Sequence, residues 1–112
     1  MGHLLAFLFI EGGRFLTVTQ SPMLIIQPKD TPVRLNCTAE GYANPYMYWY
    51  KQGIGKNLHM MAFSTAPGSV TDISDNRFSF TRANGQFFTL ETDSLPQDAN
   101  GVYFCAASAH CD

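Results

Sequence analysis

Residues 37–49 read CTAEGYANPYMYW, and Tyr103-Phe104-Cys105 follows near the other end of the chain. The two cysteines are 68 positions apart. Apolar and polar residues alternate around Cys37, which is the period of a β-strand with one buried face. The stretch therefore predicts a strand that carries Cys37, a loop, and a second strand that carries Trp49.

Cysteine, then tryptophan, then tyrosine two residues before a second cysteine is the core pattern of the immunoglobulin sandwich. In that fold the cysteines bridge two facing sheets, the tryptophan packs over the bridge, and the tyrosine ties the approaching loop to its strand. The pattern implies a disulfide between Cys37 and Cys105 and places Trp49 and Tyr103 in the core. Closing a loop of this length would contribute about 4 kcal/mol of stability. We expect an all-β fold, an immunoglobulin V-type sandwich.

The composition fits one small domain. The chain has 112 residues, of which 46% are hydrophobic and 14% charged, enough apolar material for a single core. A net charge of −2 gives no reason to expect nucleic acid or an anionic membrane surface as a partner. Three cysteines in so short a chain point to an oxidising compartment. No apolar run is long enough to span a bilayer.

The strand that carries Trp49 is predicted at Met47–Gln52. If Trp49 and Cys105 face the core, their sequence neighbours face outward. Parity then predicts four outward side chains, Tyr48, Tyr50, Gln52 and Phe104. Tyrosines exposed along one strand favour a face that a partner covers.

The other strands are short and separated by turn residues. Thr17–Ser21 is predicted as the first strand, and Leu58–Phe63 as a strand that precedes a loop at Thr65–Ser69. Arg77–Arg82 and Gln86–Thr92 are predicted to form a hairpin, with an Asn-Gly turn signal between them. Its inward residues are predicted to be Phe78, Phe80, Phe88 and Leu90.

The N-terminal segment His3–Ile10 (HLLAFLFI) is similar to the apolar region of a secretory signal. No Lys or Arg precedes it and no clear small-x-small site follows it, and an apolar strand is the alternative. We expect residues 1–17 to be a leader, residues 18–108 to form the domain, and residues 109–112 to be a tail outside it.

From Val18 to Ser108 the chain resembles a T-cell receptor variable domain, most closely the β type. Trp49-Tyr50-Lys51-Gln52, with Leu58 after a glycine-containing turn, is similar to the second framework pattern of that family. Residues 77–91 resemble β-chain framework, and residues 102–106 resemble the approach to the third hypervariable loop. Residues 106–108 suit some α chains equally well, so α, δ and light-chain variable domains are alternatives.

The resemblance implies that the domain binds a peptide held by an MHC molecule, jointly with the V domain of a partner chain. The implied antigen-binding residues are Tyr42, Asn44, Tyr46, Ser64, Thr65, Gly68, Ser69, Ala106, Ala107 and Ser108. Such residue types are typical of paratopes, although they are equally ordinary in turns. The implied partner face consists of Tyr48, Tyr50, Gln52, Leu58 and Phe104.

The resemblance also implies a chain of the secretory pathway that reaches the cell surface as part of a complete receptor. Any membrane attachment would come from constant and transmembrane regions outside this sequence. The alternative function is that of an invariant V-type surface module for adhesion or co-signalling.

Two features depart from the family pattern. The Asp expected six residues before the second cysteine is Ala99 here, with Asp98 one residue early, so a pair between Arg77 and Asp98 is an open question. No Phe-Gly-x-Gly follows Cys105. We therefore expect strand G, the joining segment, to be missing and the sheet that carries Trp49 to have an unpaired edge.

The tail favours an unrearranged germline V segment. A recombination signal read through in frame would encode His110-Cys111 and the start of the Asp112 codon. Cys111 would then have no evolved role. A truncated chain that ends in true junctional residues is the alternative.

Catalysis, metal binding and cofactors are not expected. His110, Cys111 and Asp112 are neighbours on a terminal segment, so they cannot converge on one substrate. Three scattered histidines and the lack of a C-x-x-C pair argue against a zinc site.

Asn36-Cys37-Thr38 matches the acceptor for N-glycosylation. Strand alternation directs Asn36 outward. We expect low occupancy, because a mid-strand site beside a bridging cysteine is a poor substrate.

Overall fold

Ten β-strands account for the fold of the described residues, which are 5–11, 14–21, 24–25, 28–72 and 77–108 of the computed structural model. In chain order they are β1 (Leu5–Glu11), β2 (Arg14–Ser21), β3 (Leu24–Ile25), β4 (Val33–Glu40), β5 (Tyr46–Gly53), β6 (Leu58–Ala66), β7 (Ser69–Asp72), β8 (Ser79–Asn84), β9 (Phe87–Thr92) and β10 (Gly101–Ser108). The first sheet has the order β1-β2-β4-β9-β8, and the second has the order β3-β10-β5-β6-β7. All neighbouring strands are antiparallel, so the predicted all-β sandwich is confirmed. Across these ranges we find no helix long and apolar enough to cross a membrane.

One core joins the two sheets. Cys37 in β4 and Cys105 in β10 form the predicted disulfide, with 6.2 Å between their Cα atoms. Trp49 is fully buried and lies beside Cys105 on the neighbouring strand. Its Nε1–H donates a hydrogen bond of 3.2 Å to the carbonyl of Phe88, the cross-strand partner of Cys37. Contacts from both sheets therefore hold the indole beside the bridge.

Strand alternation builds the rest of the core as expected. Leu35, Cys37 and Ala39 in β4 are fully buried, and the residues between them are exposed or half-buried. On the β8–β9 hairpin side, Phe78, Phe88 and Leu90 are buried, and Phe80 is half-buried against the core.

The segment before β10 is fixed by two contacts. The buried Tyr103 hydroxyl donates a hydrogen bond to the carbonyl of Ala99, four residues upstream. Arg77 and Asp98 form an ion pair of 3.2 Å, which answers the question left open by the sequence. Their side chains are 50% and 74% exposed, so this pair contributes at most about 1 kcal/mol.

Two element boundaries and the edge of the second sheet differ from what the sequence predicts. The predicted loop at Thr65–Ser69 is wrong, because β6 continues to Ala66 and only Pro67-Gly68 separates it from β7. Gly68 has a φ of 78°, a left-handed conformation that glycine adopts readily and that permits so tight a turn. The β8–β9 turn is Gly85-Gln86, one residue later than predicted.

The third difference concerns the edge of the second sheet. β3 pairs with Gly101 and Val102 at the start of β10. The edge expected to be unpaired is therefore covered at this point.

At the N-terminus, β1 pairs with β2 from Leu5 opposite Gln20 to Glu11 opposite Arg14. The predicted first strand, Thr17–Ser21, lies within β2. The division into a leader of residues 1–17 and a domain of residues 18–108 stays a prediction. Residues 109–112, including Cys111, lie outside the described residues.

Candidate partner face and recognition loops

The outer face of the second sheet presents three rows of side chains across β10, β5 and β6. The rows are Ala106, Tyr48 and Phe63, then Phe104, Tyr50 and Met60, then Val102, Gln52 and Leu58. All nine side chains are half-buried or exposed, as outward positions should be. We call this array the aromatic face. It contains all five residues that the sequence assigned to a partner face.

Phe63 extends the aromatic face beyond the prediction because β6 contains a bulge. The register between β5 and β6 shifts within the strand. Met61 and Ala62, neighbours in sequence, are therefore both buried. Strict alternation from Leu58 would turn Phe63 inward, and the extra residue of the bulge turns it outward.

Two tyrosines form the middle of the aromatic face. The rings of Tyr48 and Tyr50 lie 6.3 Å apart between centroids. The Tyr48 hydroxyl and Ser108 Oγ share a hydrogen bond of 2.9 Å, which connects this face to the end of β10. Burial, and to a lesser degree the neighbouring Tyr48, raises the pKa of the Tyr50 phenol above its ordinary value of 10.0. Tyr50 therefore offers a neutral ring with a hydrogen-bonding tip at physiological pH.

The first group of predicted antigen-binding residues surrounds the loop between β4 and β5. Tyr42 is half-buried and packs against the core, whereas Asn44 is exposed. Tyr46 is the first residue of β5. The loop is therefore anchored through Tyr42 and presents Asn44 at the surface.

The second group lies at the turn between β6 and β7. Ser64 is 1% exposed inside β6, so its predicted loop position is wrong. Its hydroxyl donates a hydrogen bond of 2.9 Å to the carbonyl of Ala66. Thr65, also in β6, is exposed together with Gly68 and Ser69 at the turn. The side chain of Ser64 therefore packs beneath the β6–β7 turn, and Thr65, Gly68 and Ser69 form the exposed surface of that turn.

The third group is strand rather than loop. Ala106, Ala107 and Ser108 are the last three residues of β10. Ala107 is 4% exposed and faces the core, so its predicted place in a binding loop is wrong. Ala106 and Ser108 are half-buried and face outward.

A buried arginine holds this end of the sandwich together. Arg82 in β8 is 2% exposed, and all the hydrogen bonds of its guanidinium go to neutral acceptors. Nε donates to the Asn84 carbonyl at 2.9 Å, and Nη1 donates to the carbonyl and the hydroxyl of Ser64 at 3.2 Å each. Nη2 donates to the Pro45 carbonyl at 2.8 Å and to the Gly85 carbonyl. Burial lowers the pKa of Arg82, but a guanidinium remains charged in proteins.

These bonds join three loops into one unit. Pro45 ends the first loop, and Gly85 forms the β8–β9 turn. The Arg82 carbonyl accepts a hydrogen bond of 2.9 Å from the Gly68 N–H in the β6–β7 turn. A Cβ on Gly85 would collide with the backbone carbonyl of Ala43, so the β8–β9 turn lies directly against the first loop.

This role of Arg82 was not predicted from the sequence, although a signal was present. Phe78 and Phe80 were predicted to face inward, and the same parity continues to Arg82. A charged residue on the apolar side of a strand needs hydrogen-bond partners around it. That requirement could have identified Arg82 as a buried anchor.

Within the described ranges, no three His, Cys, Asp or Glu side chains lie close enough together to hold a metal ion. Every buried side-chain nitrogen and oxygen atom there has a hydrogen-bond partner. The two surfaces offer an aromatic array and a polar loop cluster, which are the chemistry of binding to other macromolecules.

The chain has relatives with the same architecture. The immunoglobulin V-set domain family matches residues 20–111. Human T cell receptor beta variable 30 is 34% identical over 97 residues, which is 87% of each chain. The chain belongs to the immunoglobulin V-set family, in its T-cell receptor beta variable branch. V-set domains of this branch are in general not enzymes, which agrees with the surfaces described above.

Further beta variable relatives show similar coverage. Human T cell receptor beta variable 10-2 is 31% identical over 99 residues, 87% of this chain and 85% of the relative. Human T cell receptor beta variable 10-3 is 34% identical over 96 residues, 81% and 80% of the two chains. One solved chain has a TM-score of 0.75 and 25% identity, and the match covers 87% of this V-set chain and 85% of the other. That structure concerns T cell specificity and activation by the bacterial superantigen toxic shock syndrome toxin-1.

Proposed function

We propose that this V-set chain is the antigen-recognition variable domain of a T-cell receptor beta-type chain. It binds a peptide–MHC complex together with the V domain of a second receptor chain. The observation that carries the proposal is the aromatic face, which lies on the opposite side of the domain from the mainly polar outward side chains of β4, β8 and β9.

Pairing is supported by the composition of the aromatic face. Its middle row consists of Phe104, Tyr50 and Met60. The row on one side, which consists of Ala106, Tyr48 and Phe63, is also apolar or aromatic. Contiguous apolar surface is unusual on a domain that stays alone, and aromatic residues at the centre of an interface tend to dominate its energy. A second V domain of similar shape would cover this face.

Antigen recognition is supported by the loop cluster at one end of the sandwich. Asn44, Thr65 and Ser69 are exposed polar residues there, and Gly68 gives the turn between them. Polar and small residues of this kind provide adaptable hydrogen bonds in paratopes. The Arg82 network would keep the cluster in one arrangement and so lower the entropic cost of binding.

The proposed location is the secretory pathway and the outer side of the plasma membrane, as part of a complete receptor. The germline origin inferred from His110 and Cys111 stays a prediction about residues outside the described ranges. Sequencing genomic DNA beyond the Ser108 codon tests it, because a recombination signal is expected there. Sequencing transcripts past the Ser108 codon tests the alternative of an invariant adhesion module, which would continue into a fixed third loop.

A matched pair of charge substitutions tests the proposed pairing. In a complete receptor chain produced with its partner, Tyr50→Glu and Phe104→Glu should each lower heterodimer yield by roughly 30-fold or more, since hot-spot changes cost about 2 kcal/mol or more. Thr81→Glu places the same charge on the exposed outer side of β8 and should leave the yield unchanged. Equal yields from all variants would rule out the aromatic face as the pairing surface.

Antigen binding is tested separately. Asn44→Ala and Ser69→Ala should weaken binding of a cognate peptide–MHC tetramer while heterodimer yield stays constant. Undiminished tetramer binding by both variants would contradict the proposed contact loops.

A further inference from the structure

Asn36-Cys37-Thr38 is the only N-glycosylation acceptor in the sequence. Asn36 lies in β4, and its side chain is exposed on the outer face of the first sheet. Thr38 lies two residues further along on the same face. The folded domain therefore leaves room above Asn36 for a large polar group.

A hydrogen bond orients the Asn36 amide for modification. Thr89, the cross-strand partner of Asn36 on β9, donates from Oγ1 to Asn36 Oδ1 at 3.3 Å. Nδ2, the atom that would carry a glycan, is directed away from this bond and makes no hydrogen bond with the described residues. Because Oδ1 can accept the same bond in the glycosylated side chain, the folded structure accommodates the modification unchanged.

An exposed aromatic ring lies beside this position. Phe87 is 43% exposed and lies opposite Thr38, which makes it the diagonal neighbour of Asn36 on the same face. Diagonal neighbours of this kind are roughly 7–8 Å apart, within reach of long or aromatic side chains. Among the residues whose side-chain exposure the structure describes, the other large exposed apolar residues, Ile54 and Leu58, belong to the second sheet and its β5–β6 turn. Phe87 is therefore the one large apolar ring among the outward side chains of β4, β8 and β9.

The order of synthesis removes the two objections raised by the sequence. Cys37 bridges to Cys105, which follows 68 residues later. At about 5–20 residues per second, the acceptor is available for roughly 3–14 s before its partner cysteine is made. β9 also follows β4 in the chain, so neither the bridge nor the paired strand exists when Asn36 first becomes accessible.

We propose that Asn36 carries an N-linked glycan whose first sugar lies over the ring of Phe87. The proposal rests on the secretory location given under the proposed function. The donor is an oligosaccharide linked to a polyprenyl diphosphate. A bond forms between C1 of the first sugar and Asn36 Nδ2, the bond between C1 and the diphosphate oxygen breaks, the diphosphate leaves with the electron pair, and Nδ2 loses one proton. The C–H groups of the sugar then cover the face of the aromatic ring.

Such a glycan is compatible with both proposed binding surfaces. Asn36 points outward from the first sheet, whereas Tyr48 and Tyr50 point outward from the second. The antigen-binding loops lie at one end of the sandwich. A glycan on Asn36 would cover a face that neither a partner V domain nor an antigen needs.

Mass spectrometry of the secreted full chain tests the attachment. The chain is produced in mammalian cells behind a host signal sequence, so that it reaches the lumen whatever its own N-terminus does. We expect an amidase-sensitive glycan, with conversion of Asn36 to Asp on release. Thr38→Ser should keep the glycan, whereas Thr38→Val and Asn36→Gln should each remove it. Unmodified Asn36 in a chain whose Cys37–Cys105 bridge has formed would overturn the proposal.

A parallel sample without the host signal separates this proposal from the proposed function. A glycosylated product from that sample supports the secretory location as well. If only the sample with the host signal is glycosylated, the attachment stands and the prediction that residues 1–17 act as a leader fails.

A thermal comparison tests the contact with Phe87. Removing the glycan should lower the melting temperature of the wild-type domain by about 2–4 °C more than that of Phe87→Ser, because only the wild type then exposes the ring. An equal decrease in both proteins would show that the sugar does not cover Phe87, and would overturn that part of the proposal.

Discussion

The outward side chains of β4, β8 and β9 in the first sheet and of β5, β6 and β10 in the second follow the same alternation rule and carry opposite chemistry. On the first sheet the outward side chains of β4, β9 and β8 are Arg34, Asn36, Thr38, Glu40, Phe87, Thr89, Glu91, Ser79, Thr81 and Ala83. On the second sheet the outward positions form the aromatic face, with Tyr48, Tyr50, Phe63 and Phe104. Folding requires only that the inward positions be apolar. The residue types at the outward positions therefore indicate whether water or another molecule covers each face.

This difference indicates that the outer sides of the two sheets lie in different environments. Water, and the glycan proposed at Asn36, suffice for the outward side chains of β4, β8 and β9, among which Phe87 is the one aromatic residue. The aromatic face presents contiguous apolar area, which soluble domains usually cover with a partner.

The largest effect is expected from removing the bridge between the sheets. Replacing Cys37 and Cys105 together by alanine should lower the free energy of unfolding by about 2–5 kcal/mol, because the unfolded chain is no longer constrained. Urea unfolding followed through Trp49 fluorescence measures it. Since both faces rest on one core, they should be lost in one transition. Two separate transitions, one for each sheet, would contradict the shared core.

A smaller loss of stability is expected from removing the hydrogen bonds by which Arg82 of the first sheet contacts Ser64 of the second. Arg82→Met should cost about 3 kcal/mol, because several buried carbonyls lose their donor. Arg77→Met removes an exposed ion pair near the other end of the same hairpin and should cost less than about 1 kcal/mol. Hydrogen exchange of the Gly68 amide should accelerate in the first variant only. Similar losses in both variants would show that the network of Arg82 is not an anchor.

The smallest effect concerns pH. The raised pKa of Tyr50 means that the folded state favours the neutral phenol. Its contribution is complete below the unfolded value of about 10 and is lost as the pH rises through the higher folded-state pKa. Tyr50→Phe should therefore lose less stability than the wild type between about pH 9 and 11. Parallel unfolding curves of the two proteins over this range would contradict a desolvated phenol.

The sequence predicted the core and the outward tyrosines because both depend on local parity. Cys37, Trp49 and Cys105 each lie in a regular strand, where every second residue faces the same side. The disulfide and the buried tryptophan followed from that pattern and the resemblance to a known family.

Errors occurred where parity was interrupted or where a contact was not local. Phe63 was missed because the bulge in β6 shifts the alternation. Ser64 was placed in a loop because β6 continues to Ala66, beyond the predicted end of the strand at Phe63. Two partners of Arg82, Ser64 and Pro45, lie 18 and 37 residues away in sequence, so no local pattern identifies them.

Radical labelling of aromatic side chains in the free and the paired receptor chain tests the contrast between the faces most directly. The chain is freed of any glycan, labelled alone and in the heterodimer, and analysed by peptide mass spectrometry. We expect pairing to protect Tyr50 and Phe104 from labelling and to leave the labelling of Phe87 unchanged. Unchanged labelling of Tyr50 and Phe104, or protection of Phe87 in their place, would contradict it.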